Sequence, residues 1–400
     1  MSHRNESVVF GLTVASAAAT LVSIAVSQIF LASACAIWLY TRPGPIRFPT
    51  YFLPLLAFFL STILSLALSP NPGAGLAAVY KFWLFVMGLL AANFVTTAQR
   101  ARTAMRVLIG VAAGAALVAI VQFAFLYARY QATGELADNP MAVNRITGTL
   151  GHWMTFSGGQ LLVWCMAAPA LAVLGRRWIP PAAIVSTAII LSFTRSAWLG
   201  SAAGFVAAAR TLPRRVILAV LAPVVVAGAA ASGLVYERVT MSFQADFAPN
   251  YARKAYLDVG LRMIRDNPLA GVGPGRIAEE FPRYYDGDNL DQFYYGHLHN
   301  NFVQIAAERG LIALGAALWF FVELYRSLIR MFRTASPEIR WLPMSAISAL
   351  TGFLVGGAFE YNFSDSEVLM LLLFIVSIHF GVVRGPVLAA DEADARSMKV

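Results

Sequence analysis

The chain has 400 residues, 58% of them hydrophobic and only 13% charged, with a mean hydropathy of +0.65. Soluble globular domains carry about 25% charged residues, so this composition excludes one and points to a polytopic membrane protein. The formal net charge of +9 is spread as small groups of Arg and Lys beside apolar segments, which suits orientation in a bilayer and leaves no basic domain for nucleic acid.

Apolar runs of roughly 16 to 24 residues between short polar breaks are the pattern of helices rather than barrel strands. Lipid then requires an all-α bundle, because only helices and closed barrels satisfy their own backbone polar groups. Segments fall at about 8–24, 26–41, 50–69, 77–97, 106–129, 152–174, 179–193, 195–210, 217–235, 306–328, 341–361 and 366–384. The expectation is an all-α polytopic membrane protein of about twelve transmembrane helices, forming one domain over 1–400. Val8 to Tyr40 has no charged residue and reads as one long helix or two, with Ser27 and Gln28 as the only break. The first ten residues, MSHRNESVVF, lead into apolar sequence without a small-residue cleavage pattern, so the first helix is expected to be retained. Cys35 and Cys165 lie inside apolar segments and read as small packed residues, neither a disulfide nor a metal pair.

With the N-terminus inside, the cytoplasmic breaks hold Arg42 and Arg47; Arg100, Arg102 and Arg106; Arg176 and Arg177; Arg210, Arg214 and Arg215; Arg326, Arg330, Arg333 and Arg340; and Arg384. The opposite short breaks, at 69–75 and 362–366, have neither Lys nor Arg. That alternation follows the positive-inside rule, places both termini and a 385–400 tail in the cytoplasm, and puts Arg129–Leu150 and a long loop, 236–305, on the outer side.

Trp178 to Arg210 contains one charged residue between its ends, Arg195. A single helix of that length would reach about 50 Å, too long for one crossing, whereas a hairpin has arms of about 24 Å, shorter than the roughly 30 Å core. Its apex, SFTRSAW, then sits below the outer surface, and an arginine there needs a polar cavity or an anion; snorkelling to headgroups is the plainer alternative.

In the outer loop, Tyr256, Val259, Leu261, Met263 and Ile264 recur at near-helical spacing until Asn267 and Pro268 end the run, predicting a short helix on the bundle. GVGPG at 271–275 follows no strand and contains Pro274, so it reads as a turn, not a phosphate loop. The stretch from Tyr294 to Gly315 concentrates the polar chemistry: His297, His299, Asn300 and Asn301 run straight into apolar sequence.

Of five histidines, His3 stands apart and His379 reads as a packed core residue, leaving His152, His297 and His299 on the outer side. A metal centre from these with Asp286 or Asp288 is disfavoured, since i, i+2 histidines diverge on a helix, and no metal or cofactor is expected. A single neutral imidazole can instead accept a hydroxyl proton, with Asn300, Asn301 or a carbonyl fixing its tautomer; helix capping by His297 and His299 is the alternative. Arg145, Arg195, Arg253, Arg262, Arg265, Arg276 and Lys254, with Lys81 near the outer end of its helix, form an excess of outer cations suited to phosphate. Solvated loop surface accounts for Arg262 and Arg276.

These residues resemble the O-antigen ligase and polymerase superfamily of bacterial inner membranes. His299, Asn300, nine residues and Gly310 match its ligase motif; LSFTRSAWLG at 191–200, IRDNPLAGVGPG at 264–275 and ITGTLGHWMTFSG at 146–158 are similar to three more of its segments. The resemblance covers about 140–380. It implies a GT-C-like bundle of twelve helices whose periplasmic loop, between helices nine and ten, carries short helices and roofs a lateral cavity. It also implies inverting, metal-independent transfer of a glycan from undecaprenyl diphosphate to an acceptor sugar hydroxyl on lipid A core. His299 would be the base and Arg195 would hold the diphosphate with Arg253, or with Arg262 or Arg265 in its place. Arg145, His152, Lys81, Lys254, Arg265, His297 and Asn300 are the expected substrate-binding residues, and membrane lipids the surroundings. A repeat-unit polymerase of the same superfamily is the alternative, and a polysaccharide or lipid transporter the alternative of another class; a transporter would hold its polar groups at mid-membrane.

Overall fold

A computed structural model describes residues 3–41, 45–134, 144–230, 232–241, 248–288, 290 and 296–397. Among them there is no strand. The helices are α1 (His3–Ala19), α2 (Ile24–Thr41), α3 (Phe52–Leu68), α4 (Pro72–Tyr80), α5 (Val86–Phe94), α6 (Ala98–Thr133), α7 (Trp153–Leu174), α8 (Ile179–Leu191), α9 (Arg195–Ala209), α10 (Arg214–Ala230), α11 (Ser232–Met241), α12 (Ala248–Asp266), α13 (Ile277–Tyr284), α14 (Asn301–Thr334), α15 (Trp341–Gly357) and α16 (Ser366–Ser397).

Helix covers each apolar segment expected from sequence, but crossing length does not. Five stretches are long and apolar enough to cross a membrane: Ile24–Thr41, Pro72–Phe94, Ala98–Thr133, Trp153–Leu174 and Asn301–Thr334. Phe52–Leu68, Trp341–Gly357 and Ser366–Val382 are apolar but shorter. The protein is an all-helical integral membrane protein.

Three boundaries differ from expectation. Val8 to Tyr40 is two helices, and the break lies at Thr20–Ser23 rather than at Ser27 and Gln28. Ser27 sits inside α2, buried, where its Oγ donates to the Ser16 carbonyl at 2.8 Å while Ser16 Oγ donates to the Ser27 carbonyl at 2.7 Å, pinning the hairpin. The 77–97 segment is interrupted by a 3-10 turn at Lys81–Phe85, and α6 runs on through Arg129 to Thr133. The hairpin at 178–210 is present: α8 and α9 have 13 and 15 residues, about 20 and 22 Å at ~1.5 Å per residue.

The start of α9 is held by close crossing of α7, α9 and α15. A Cβ at Gly200 would meet the Gly352 carbonyl at 2.5 Å, and one at Gly204 would meet Cys165 Sγ at 2.5 Å and the Ser348 carbonyl at 2.6 Å. Ser348 Oγ donates to the Gly204 carbonyl at 2.8 Å. Small residues permit this approach, which is how apolar helices associate where burial alone gives no driving force. On the other flank, Phe58, Phe82, Phe85, Phe320, Phe321, Phe353 and Phe363 interlock through tilted, stacked and edge-to-face pairs and join α3, the 3-10 turn at Lys81–Phe85, α14, α15 and the segment after α15.

α14 is broken near its start. Gly310 has φ 80°, so its helix is two pieces, and the 267–275 turn fills the gap. Val272 N–H donates to the Ala307 carbonyl at 2.8 Å, Gly273 N–H to the Glu308 carbonyl at 3.0 Å, and Leu311 N–H to the Pro268 carbonyl at 2.7 Å. The buried Glu308 carboxylate accepts from Gly275 N–H at 2.8 Å. The GVGPG segment is thus the cap of an interrupted helix, satisfying backbone groups that the break orphans. Beneath it, Tyr256, Val259, Met263, Val272, Ile277, Phe281, Leu298 and Ala307 form a separate apolar core. Leu261 of the predicted stripe is instead 53% exposed. Arg276 overturns its surface reading: it is 4% exposed, donates to the Val272 carbonyl at 2.8 Å and pairs with Glu279 and Glu280.

Gly310→Ala is expected to cost about 1–3 kcal/mol, because an L residue there adopts a disfavoured φ and its Cβ overlaps the Leu269 carbonyl. Gly315→Ala, with nothing within 4 Å of its Cβ, should leave stability unchanged or slightly raised. Thermal unfolding of the two variants in detergent checks the contrast.

Candidate functional site

Residues from the ends of α7, α9, α12 and α15 gather around the segment that leads into α14. Phe193, at the α8–α9 apex, and His299, just before α14, have φ of 48° and 50°; they are the non-glycine residues of positive φ among those described. Such backbone is strained for a side chain and persists only where surrounding contacts over-determine it.

For His299 those contacts form a side-chain zipper with the segment after α15. His299 Nδ1 lies 3.1 Å from Glu360 Oε1. Asn300 caps α14, its Oδ1 accepting from Phe302 and Val303 N–H at 2.9 and 3.1 Å, and its Nδ2 donates to the Ala358 carbonyl at 2.8 Å. Asn301 Nδ2 donates to Asn362 Oδ1 at 2.7 Å and its Oδ1 accepts from Phe363 N–H at 3.0 Å. Leu298 N–H donates to Gln304 Oε1 at 2.7 Å. Tyr256 of α12 covers the imidazole, with ring centroids 4.8 Å apart.

Two chambers meet at His299. The larger has a volume of about 780 Å³ and is lined by Arg195, Arg253, Lys254, Asn250, His299 and Asn300 on its polar side. Trp198, Leu199, Val239, Leu257, Leu298 and Phe359 form its apolar side. Of these, Leu199 is 49% exposed and Leu257 46% exposed, so the apolar wall opens outward. The smaller, of about 170 Å³, shares Arg195, Arg253 and His299 and adds Arg145, Trp153, Met154, Thr194, Ser196, Ala252, Tyr256 and Glu360. Arg195 Nη1 donates to Asn250 Oδ1 at 2.7 Å. Burial lowers the pKa of the Arg253 guanidinium, opposed by the Glu360 carboxylate, which marks a desolvated cation.

Sequence-predicted residues divide sharply. Arg195, Arg253, Lys254, His299, Asn300 and Arg145 line one chamber or both. His297 is beside them, its ring centroid 4.1 Å from that of His299, and burial followed by the His299 charge lowers its pKa to about 4. His152 caps α7, its Nδ1 accepting from Met154 N–H at 3.3 Å, and stacks on Trp153. Lys81 lies in a different pocket of about 180 Å³ with Glu308, Arg309 and Tyr361, and donates to the Ser364 carbonyl at 2.7 Å. Arg265 pairs with the neighbouring Asp266, and Arg262 with Asp258 and Asp286; none of them lines either chamber.

The helical-divergence argument against a metal does not apply, because His297 and His299 precede α14 instead of lying on it. His297, His299 and Glu360 present ligand atoms within 4.8 Å of one another. Their hydrogen bonds are nonetheless internal: Glu360 takes His299 Nδ1, and His297 Nδ1 accepts from His299 N–H at 3.4 Å. Glu360 is the residue that sequence reading missed. It is the one acid within the apolar 341–361 segment, and the rule that made Arg195 conspicuous applied to it equally. Asn362, Asn250 and Trp153 carried no comparable signal.

Residues 180–320 match the O-antigen ligase family, Wzy_C. The match supports membership of the O-antigen ligase and polymerase superfamily, whose members are membrane glycosyltransferase-like enzymes. It takes in Arg195, Arg253 and His299 and stops short of Arg145, Trp153 and Glu360. No curated protein matches the chain.

If the zipper holds α14 in place, Asn301→Ala and Asn362→Ala should be non-additive. The coupling in a double-mutant cycle is expected to be about 1 kcal/mol, read from unfolding by SDS in mixed micelles.

Proposed function

We propose that this protein is an O-antigen ligase-like glycosyltransferase, moving a glycan from undecaprenyl diphosphate to an acceptor sugar hydroxyl, lipid A core being the expected acceptor. The reaction is assigned to the periplasmic face of the bacterial inner membrane, with twelve crossings and both termini cytoplasmic. One observation carries the reading. A single large chamber joins an outward-opening apolar wall to Arg195, Arg253 and Lys254, with His299 at its inner edge. A polyprenyl chain suits the wall, and a diphosphate suits guanidinium forks in a partly desolvated cavity.

The chemistry follows from that placement. The acceptor oxygen attacks the anomeric carbon as the bond from that carbon to the diphosphate oxygen breaks, and the electron pair leaves with the lipid diphosphate. Arg195 and Arg253 stabilise the charge that develops on it, so no general acid is needed. His299 takes the hydroxyl proton. With Nδ1–H donating to the Glu360 carboxylate, Nε2 carries the lone pair, and Glu360 stabilises the imidazolium that forms. Attack opposite the leaving group inverts the anomeric centre.

A repeat-unit polymerase would use the same chamber, and the observation favouring ligase is the His299–Asn300 to Gly310 spacing, which serves here as cap and break of one helix. Lipopolysaccharide profiles of a deletion strain decide: glycan joined to core on complementation supports ligase, whereas carrier-linked chains that lengthen without reaching core overturn it.

In the same assay His299→Ala is expected to lose about 100- to 10,000-fold in rate, and Arg195→Ala about 100-fold or more. Glu360→Gln should fall between wild type and His299→Ala. Arg177→Ala, exposed at the opposite end, should match wild type. Normal transfer by His299→Ala would remove the base from the mechanism.

A further inference from the structure

We propose that the pocket of about 180 Å³ beside Lys81 is a second anion site, separate from the two chambers, and that it holds one phosphate group between Lys81 and Arg309. The site stands whether or not the chambers transfer a glycan, because none of its lining residues lines either of them. Its mouth is shaped by α4. Ala74, Ala77, Ala78 and Lys81 recur at the spacing of one helix face, so three small side chains leave a hollow with a lysine at its end. Ala74 and Ala77 are exposed, and the hollow is open on that side.

Arg309 is the observation that points to a ligand. It is 7% exposed, yet among the described residues nothing accepts a hydrogen bond from its guanidinium. Its Nε lies 3.8 Å from Glu308 Oε2, beyond hydrogen-bond length, and its Cζ lies 5.3 Å from the centroid of the Phe58 ring. The ring attracts the charge but is no conventional acceptor for the N–H groups. Nε is sealed, which leaves the Nη groups at the tip of the fork to face the pocket that Arg309 lines. Buried donors are rarely left unmet. Lys81 adds to them, since Nζ uses one of its three N–H groups on the Ser364 carbonyl at 2.7 Å.

Charge and shape select the occupant. Glu308 is the one carboxylate in the lining, and its Oε1 already accepts from Gly275 N–H at 2.8 Å. Asp365, the next acid, accepts from Thr155 Oγ1 at 2.7 Å and lies outside the lining. Two cations thus face one carboxylate, over a floor of Phe58, Phe82, Phe85 and Phe363 that strengthens any ion pair by keeping water away. The guanidinium comes from α14 and the ammonium from the turn after α4. A tetrahedral phosphate has oxygens for both, whereas a planar carboxylate is used up by the fork. Free phosphate and a lipid headgroup share that chemistry. Tyr361 and Ser364 of the lining belong to the segment that carries Glu360 and Asn362, so a bound phosphate ties that segment to α4 and α14 once more.

The test is isothermal titration calorimetry on the full chain in a neutral detergent, with Arg195→Ala and Arg253→Ala both present to silence the chambers. The probes are inorganic phosphate, dihexanoyl phosphatidylglycerol and acetate. Saturable binding of phosphate is expected; binding of the lipid about tenfold tighter identifies a headgroup as the source, and equal or weaker binding a soluble one. Acetate should bind about tenfold more weakly than the tighter phosphate probe. Lys81→Gln and Arg309→Gln should each weaken that probe about tenfold or more, the usual loss for one charge-assisted hydrogen bond. Ala77→Leu keeps both cations, sits at an exposed helix position and fills the mouth, so it should weaken binding to a similar extent. The proposal is overturned if neither phosphate probe saturates, if acetate matches them, or if Lys81→Gln and Ala77→Leu bind as the parent does. Should Arg309→Gln fail to fold by thermal melting, the other two variants decide.

Discussion

The site depends on one interrupted helix. α14 begins at a capped asparagine, runs about three turns and breaks at Gly310, and both of its ends in that short piece are tied to other segments. The 267–275 turn satisfies the backbone groups freed by the break, while Asn300 and Asn301 bind the chain after α15. An uninterrupted helix would have left His299 to be placed by one long lever. Breaking it makes the first ten residues a separate block, clamped at both ends, and the imidazole inherits that rigidity.

The same logic explains why a strained backbone is tolerated at two points. Phe193 and His299 sit at positive φ, and each is followed, after one capping residue, by the start of a helix. Fixing those helices fixes the turns. α9 is fixed by the glycine crossing with α15 and α7, α14 by its zipper, so the strain is carried by packing elsewhere and the Arg195 and His299 side chains keep one relation to each other.

Much of this was legible in the sequence. The hairpin at 178–210 followed from length and a lone arginine, and a short helix ending before Asn267 and Pro268 from its apolar spacing, which the structure extends back to Ala248. What sequence could not supply was pairing across distance. Lys81 and Arg195 looked alike as outer cations, yet contacts 283 and 55 residues along the chain put Lys81 against Ser364 and Arg195 against Asn250 in the chamber. Arg276 looked like solvated loop surface, yet it is buried, pairing with the buried Glu280 and the exposed Glu279. The Thr20–Ser23 break was missed because no charge marks it, and the reciprocal Ser16–Ser27 bonds that select it are a tertiary fact. Glu360 was visible and was passed over, since it lies at the end of an apolar run where an acid looks like a boundary.

The glycine crossing has a consequence for how a protein of this kind can diversify. Gly200, Gly204 and Gly352 admit no side chain without separating α9 from α15, so any drift there would pull Arg195 away from Glu360. Val239, Leu257 and Phe359, by contrast, are 40%, 46% and 41% exposed and answer to no such constraint. Packing therefore fixes the crossing and leaves the rim open to substitution, so the apolar wall of the chamber can change shape while the placement of Arg195 stays the same.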